Sequence, residues 1–234
     1  MNDQTLVAVC CYQGDAHQVV NALPVYQQHG CKVVILSPED SPVVIPGVEC
    51  QHAGKRAYIG ADSLHRQLRY FEKLLLFPHT YMLLHDSDSL CLSAKIPERL
   101  YYESEKTVWS NEVQEPRPHA SPYPKIAMQP PYFLTRDSIW RMLNIAGRLN
   151  VHPITPYVDW FMLALTCEAG LKHMPFTHFE HPSYCDKPFE GTDPWQQLDY
   201  RIRYMGTNFV HPIKTPEQVR LCVEARKFYE SPKS

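Results

Sequence analysis

The chain has 234 residues, of which 44% are hydrophobic and 21% charged, a balance that excludes wholesale disorder. With 25 acidic against 23 basic residues the net charge is −2, which excludes a chain-wide cationic field and leaves room only for a local basic face. The longest apolar run, at 160–165, falls far short of the ~18–20 residues of a membrane-spanning helix, and the Met-Asn-Asp-Gln-Thr start lacks the basic and apolar regions of a secretory signal.

Residues 5–11 (TLVAVCC) form a short Val-rich apolar run between polar neighbours and read as a buried strand. Asp15 is then a plausible N-cap for a helix carrying Val19, Val20, Leu23 and Tyr26 at helical spacing, kinked or split at Pro24 and stopped by Gly30. A second buried strand follows at 32–36 (KVVIL), and strand–helix–strand at this spacing implies a parallel sheet with a right-handed crossover. The next helix is expected over 62–77, capped by Asp62, with Leu64, Leu68, Phe71 and Leu75 on one stripe and His65, Arg66, Arg69 and Lys73 off it. Residues 81–84 (YMLL) are a third buried strand that runs into His85-Asp86-Ser87-Asp88-Ser89.

The second half is less regular. Strands are expected at 107–109, 126–128 and 132–134, around a segment holding six prolines between 116 and 131. Helices are expected from Thr135 or Asp137 to about 149, over 156–170, and over 215–229, the last with Val219, Leu221, Cys222, Val223, Ala225 and Phe228 as candidate contacts. Residues 176–189 read as a loop, and 208–212 as a short strand or turn. Neither a repeat nor a clean linker is visible, so one α/β domain with a mixed-sheet second half is the expected architecture. The eight cysteines (Cys10, Cys11, Cys31, Cys50, Cys91, Cys167, Cys185 and Cys222) include no C-x-x-C pair and read as reduced side chains, with a cytoplasmic location expected.

The sharpest chemical feature is Asp86-Ser87-Asp88. On an extended chain the two carboxylates project the same way, at the carboxyl end of a buried strand where open α/β sheets bind ligands. Two close carboxylates repel, and a hard divalent cation such as Mg²⁺ or Mn²⁺, sharing its sphere with a diphosphate, relieves that repulsion. An N-terminal βαβ region followed by this Asp-x-Asp resembles the GT-A glycosyltransferases, which transfer a sugar from a nucleotide-sugar donor. The resemblance implies a Rossmann-like nucleotide-binding half at about 1–105, an acceptor-binding half with a C-terminal helix at about 106–234, and a mixed central sheet flanked by helices. It implies Asp86 at the donor ribose and metal, Asp88 on the metal, His211 of Val210-His211-Pro212-Ile213-Lys214 completing the metal sphere, and Lys214 on the donor phosphates. Asp159, at the start of a helix, resembles the family's acidic residue that contacts or deprotonates the acceptor hydroxyl, although Val158 stands where a second polar residue is often seen.

By position, Tyr12 and Gln13 at the end of the first strand are expected to meet the nucleotide, Asp40 to read uracil or ribose, and Lys55, Arg56 and Arg66 to approach the phosphates of what is expected to be a UDP-sugar. The acceptor is expected to be a glycan or glycoconjugate, or the hydroxymethyl group of a modified pyrimidine in phage DNA. For DNA, a basic face could be drawn from Lys55, Arg56, Arg66, Arg69, Arg117, Lys125, Arg136, Arg141, Arg201 and Arg203, with Tyr123, Tyr132 or Trp195 stacking on an extruded base. His173, His178, His181 and Cys185 form a His-x4-His-x2-His-x3-Cys cluster without zinc-finger spacing, and an acceptor-facing loop is expected there in place of zinc. Two rival readings are a sugar-phosphate nucleotidyltransferase, which usually shows a Gly-rich N-terminal loop with a basic residue, and a non-catalytic nucleotide-sugar binding protein.

Overall fold

A computed structural model describes residues 5–57, 60–92, 104–114, 126–149, 158–176, 179–180 and 193–231. Strands β1 (Thr5–Cys10), β2 (Lys32–Ser37), β3 (Glu49–His52) and β4 (Tyr81–Asp86) alternate with helices α1 (Ala16–Gln28) and α2 (Ala61–Leu74). After β5 (Leu90–Cys91) come β6 (Thr107–Gln114), β7 (Ile126–Thr135), α3 (Arg136–Ala146), α4 (Val158–Glu168), β8 (Lys172–Pro175) and β9 (Phe179–Glu180). The chain continues through α5 (Pro194–Tyr200), a π-helical segment at Arg201–Met205, β10 (Phe209–Val210) and α6 (Pro216–Glu230).

The seven-stranded central sheet has the order β3-β2-β1-β4-β7-β6-β8. Strands β3, β2, β1 and β4 are parallel neighbours, while β7 runs antiparallel to both β4 and β6. The mixed sheet is flanked by helices on both faces, which explains the uninterrupted apolar runs of β1, β2 and β4. Alternate residues serve opposite cores: Val7, Val9, Ile35 and Leu83 pack with residues of α1, α5 and α6, whereas Leu6, Ala8, Val34, Met82 and Leu84 pack with α2, α3 and α4. Each fully buried side chain of this kind contributes about 1.5–3 kcal/mol relative to exposure, so both faces must be covered for the run to be stable.

Several expectations are corrected. Asp62 is not the N-cap of α2; Gly60 occupies that place with φ +85, and Asp62 lies in the first turn, where a carboxylate favours the helix dipole. The off-stripe residue Arg66 is buried, because a second face of α2 walls a cleft. Helix α1 continues through Pro24, and Val20 on it is 48% exposed. On α6, Val219, Cys222 and Ala225 are buried, but Leu221 and Phe228 face outward.

The strands expected at 126–128 and 132–134 are one strand, β7. In its pairing with β6 the register jumps from Ser110↔Tyr132 to Asn111↔Gln129, so Pro130 and Pro131 fall in the bulge. Neither proline has an N–H to offer, and a bulge is where a strand requires none.

The described cysteines are all free thiols, as expected. Cys167 is exposed, while Cys11, Cys31, Cys91 and Cys222 are buried. Brief iodoacetamide treatment of the native protein followed by peptide mapping should therefore modify Cys167 first among these five. Early labelling of Cys11 would contradict the packing of β1.

Candidate functional site

The parallel order reverses at β1: β2 lies on one side of it and β4 on the other. Ligands of open α/β sheets bind outside the carboxyl ends of the strands at such a switch point. Here Cys10, at the end of β1, is in register with Asp86, at the end of β4. Beyond these ends lies a cleft of about 190 Å³ whose lining includes Tyr12, Arg66, Gln67, Asp86, Pro130, Tyr132 and Asp159.

Asp86-Ser87-Asp88 is a tight turn and not extended chain, with the Ser89 N–H donating to the Asp86 carbonyl at 3.1 Å. The same-side argument from strand alternation therefore does not apply. Asp86 faces the cleft, whereas the Asp88 carboxylate meets the segment after β10, with one oxygen 3.2 Å from His211 Nε2 and the other 3.0 Å from Lys214 Nζ. This late segment is brought in by backbone pairing. Strand β10 runs antiparallel to β5, the Leu92 N–H donates to the Asn208 carbonyl at 2.7 Å, and the Ile213 N–H donates to the Asp88 carbonyl at 2.6 Å. Phe209, packed on Phe176 at 4.5 Å between ring centroids, anchors it.

The two carboxyl groups are driven in opposite directions. Burial raises Asp88, but the hydrogen bond and charge of His211, and then of Lys214, outweigh it and hold the group at about 2. Asp86 touches water at the cleft mouth, yet the surrounding protein removes enough solvation to be the largest influence on it. With the charges of Asp88 and Asp159 adding, and His211 and Arg66 opposing, it is raised to about 6. Burial likewise pushes the Cys10 thiol far up and Cys11 to about 12, so neither is a thiolate nucleophile at neutral pH.

Asp159, in the first turn of α4, lines the same cleft as Asp86, and Gln129 Nε2 of β7 donates to its Oδ2 at 3.4 Å. Tyr12 also lines the cleft, but its ring already carries the guanidinium groups of Arg56 at 5.1 Å and Arg66 at 5.5 Å. Arg66 Nη1 additionally donates to the Ala57 carbonyl. Gly54 permits this approach: it has φ +67, and a Cβ there would meet the Arg66 Cα at 2.9 Å. Asp40 sits one step removed, accepting the Arg56 N–H at 2.7 Å and so holding the loop that presents Arg56. Gln13 opens an exposed 3₁₀ turn (Gln13–Asp15) and is not among the cleft-lining residues.

Sequence reasoning missed Tyr26 and His85. His85 is 2% exposed; its Nδ1 lies 2.8 Å from the Asp86 carbonyl and its Nε2 2.9 Å from the Tyr26 hydroxyl. A carbonyl only accepts, so Nδ1 carries the proton, Nε2 accepts from the Tyr26 O–H, and the Tyr26 oxygen accepts the Cys91 N–H at 3.2 Å. Burial lowers His85 to about 4, which keeps the ring neutral. The available signal was a histidine inside an otherwise apolar strand; Tyr26, on an apolar helix stripe, gave none.

Among the described residues, the basic side chains named for a DNA acceptor are spread over several hollows. Arg66 is buried in the cleft wall, Lys55 and Arg69 line a second hollow, and Arg136 and Arg141 line a third that also includes Tyr81, at the opposite end of β4 from Asp86. Arg203 pairs with Asp199 and lies over Phe228; Arg117, Lys125 and Tyr123 are outside the described residues. Of the His/Cys cluster, His173 pairs with Ser110 Oγ at 3.0 Å on β6, and His178, His181 and Cys185 are outside the described residues.

The chemistry of the donor set fits a hard divalent cation: carboxylate oxygens from Asp86 and Asp88 and an imidazole nitrogen from His211, with Asp88 and His211 already in contact. Among the described residues no three such side chains are drawn together as a ready-made cage, and Lys214 holds one of the Asp88 oxygens.

No protein-family model and no curated protein matches the sequence. Among solved structures, the chain is similar to the apo form of the bifunctional glycosyltransferase WbbM, with a TM-score of 0.56 and 9% sequence identity over 99% of this chain and 52% of that one. The chain thus spans about half the length of that protein. At this identity the likeness concerns the fold alone: a mixed α/β sheet with flanking helices, shared with that glycosyltransferase.

Proposed function

We propose that the protein is a metal-dependent glycosyltransferase that moves a sugar from a nucleoside-diphosphate sugar, a UDP-sugar in the first instance, to a hydroxyl of a glycan or glycoconjugate. One observation carries this reading. At the switch point of a glycosyltransferase-type sheet, an Asp-x-Asp turn is joined through Asp88 to a histidine and a lysine 123 and 126 positions later in the chain. The shared fold accords with it.

Asp86, Asp88 and His211 would hold Mn²⁺ or Mg²⁺, which when bound offsets the charge of the leaving diphosphate. Lys214, on the same carboxylate, supplies a mobile positive charge for the phosphate oxygens. Tyr12, backed by Arg56 and Arg66, offers an aromatic face to the nucleotide. In the reaction the acceptor oxygen bonds to the anomeric carbon, the bond from that carbon to the phosphate oxygen breaks, and its electron pair leaves with the nucleoside diphosphate. Asp159, lining the same cleft as Asp86, takes the acceptor proton, which makes inversion at the anomeric carbon the expected outcome. Among the described residues the named basic side chains are spread over several hollows, which favours a glycan over duplex DNA as acceptor.

Nucleoside-diphosphate release from a panel of UDP-, GDP- and dTDP-sugars, followed with Mn²⁺ and with EDTA, tests this reading. Slow donor hydrolysis is expected with Mn²⁺ and should stop with EDTA. Equal release under both conditions would remove the metal, and saturable donor binding without turnover across an acceptor panel would establish a non-catalytic binding protein.

A further inference from the structure

The Asp86 carbonyl marks a point of unusual restraint. It accepts two hydrogen bonds, from Ser89 N–H at 3.1 Å, which closes the turn, and from His85 Nδ1–H at 2.8 Å. The imidazole can donate from Nδ1 only while its proton stays there, and in water a neutral histidine does not hold that tautomer by itself. Here the other nitrogen is occupied by the hydroxyl of Tyr26, which is wholly buried on α1. The same hydroxyl accepts the Cys91 N–H at 3.2 Å. One oxygen atom from a helix therefore grips the aspartate turn on both sides, through His85 before it and through Cys91 after it. Each buried polar atom in this relay has a partner, as a low-dielectric interior requires.

We propose that Tyr26 is a positioning residue that, through His85 and the Cys91 amide, fixes the Asp86–Asp88 turn, the segment whose carboxylates would hold the metal ion and diphosphate. A pure packing role needs only the ring, which lies tilted at 42° with its centroid 5.6 Å from that of the His85 ring and is retained in phenylalanine. The relay needs the oxygen. Its link to the metal rests on the glycosyltransferase reading above, whereas its link to the turn does not.

The test is Tyr26→Phe in the full chain, compared with the unaltered protein by ¹⁵N NMR of His85, hydrogen exchange at the Ser89 amide, and Mn²⁺ titration in the presence of UDP. The unaltered protein should show the Nδ1–H tautomer and a protected Ser89 amide. The variant should show tautomer exchange, faster Ser89 exchange and Mn²⁺ affinity about tenfold weaker, the lower end of what loss of an outer partner costs a metal site. Should the variant fold poorly, His85→Gln offers a second route, since its longer amide can still reach Tyr26 but lacks a donor at the Nδ1 place. It should weaken Mn²⁺ binding by a similar factor. An unchanged His85 signal with unchanged Ser89 exchange would overturn the relay. An unaltered protein that binds no Mn²⁺ would instead overturn the metal reading and its link to Tyr26, with the tautomer and exchange data still deciding whether Tyr26 holds the turn.

Discussion

Replacing Asp88 with Asn is expected to slow Mn²⁺-dependent release of nucleoside diphosphate by about 10³-fold, because loss of a metal-holding carboxylate removes several kcal/mol of leaving-group stabilisation. Asparagine keeps the size of the side chain and can still hydrogen-bond, but it lacks the negative charge that His211 and Lys214 stabilise against burial. The fold should survive. The segment after β10 remains attached through the Asp88 backbone carbonyl and the β10–β5 pairing. The Lys214 end of the ion pair is 57% exposed, and an ion pair so open to solvent contributes about 0–1 kcal/mol. A melting temperature within a few degrees of the unaltered protein, together with the loss of turnover, is the expected pair of measurements. Full activity in Asp88→Asn would remove the central assignment.

Asp159→Asn is expected to act differently. A positioned general base contributes about 10²–10⁴-fold, so transfer to an acceptor should fall by that factor while donor affinity stays nearly level. The substitution leaves the Gln129 amide a partner, since the Asn oxygen can accept where Oδ2 did. The informative measurement is kcat for transfer beside the dissociation constant for donor. Transfer at the original rate would show that Asp159 only lines the cleft, in keeping with the general preference of helix first turns for carboxylates.

What was legible in the sequence followed from burial. Strands β1, β2 and β4 are covered on both faces, so they read as unbroken apolar runs, and the βαβ order came with them. Strand β3 (ECQH) lies at the sheet edge, with no fully buried residue, and gives no such signal. Strand β7 looked like two strands because its bulge is made of prolines, which sequence rules treat as breaks. Helix α5 and the π-helical segment were overlooked, their surface carrying exposed Tyr200, Tyr204 and Met205 in place of a clean stripe.

At the site, the sequence identified Asp88, His211 and Lys214, which the fold joins, and Asp86, Tyr12, Arg66 and Asp159, which line one cleft. It misjudged how the aspartates point, since nothing in Asp-Ser-Asp-Ser separates a strand end from a turn. Asp40, expected at the uracil or ribose, accepts the Arg56 N–H, a contact that its sequence position did not reveal. The Tyr26–His85 link spans 59 positions and depends on how α1 lies across the sheet, which no local pattern encodes.

The pairing of β10 with β5 has a bearing on how the protein is made. Residues 5–92 are synthesised before the segment after β10, and they already contain the parallel strands β1–β4 and most of the walls around Asp86. The His211 and Lys214 side chains that meet Asp88 leave the ribosome more than a hundred residues later. A nascent polypeptide thus shapes its hollow early and completes its charge pattern only after more than a hundred further residues. The delay is thermodynamically mild, because each doubling of an intervening loop adds only about 0.6 kcal/mol to the entropy of joining its ends.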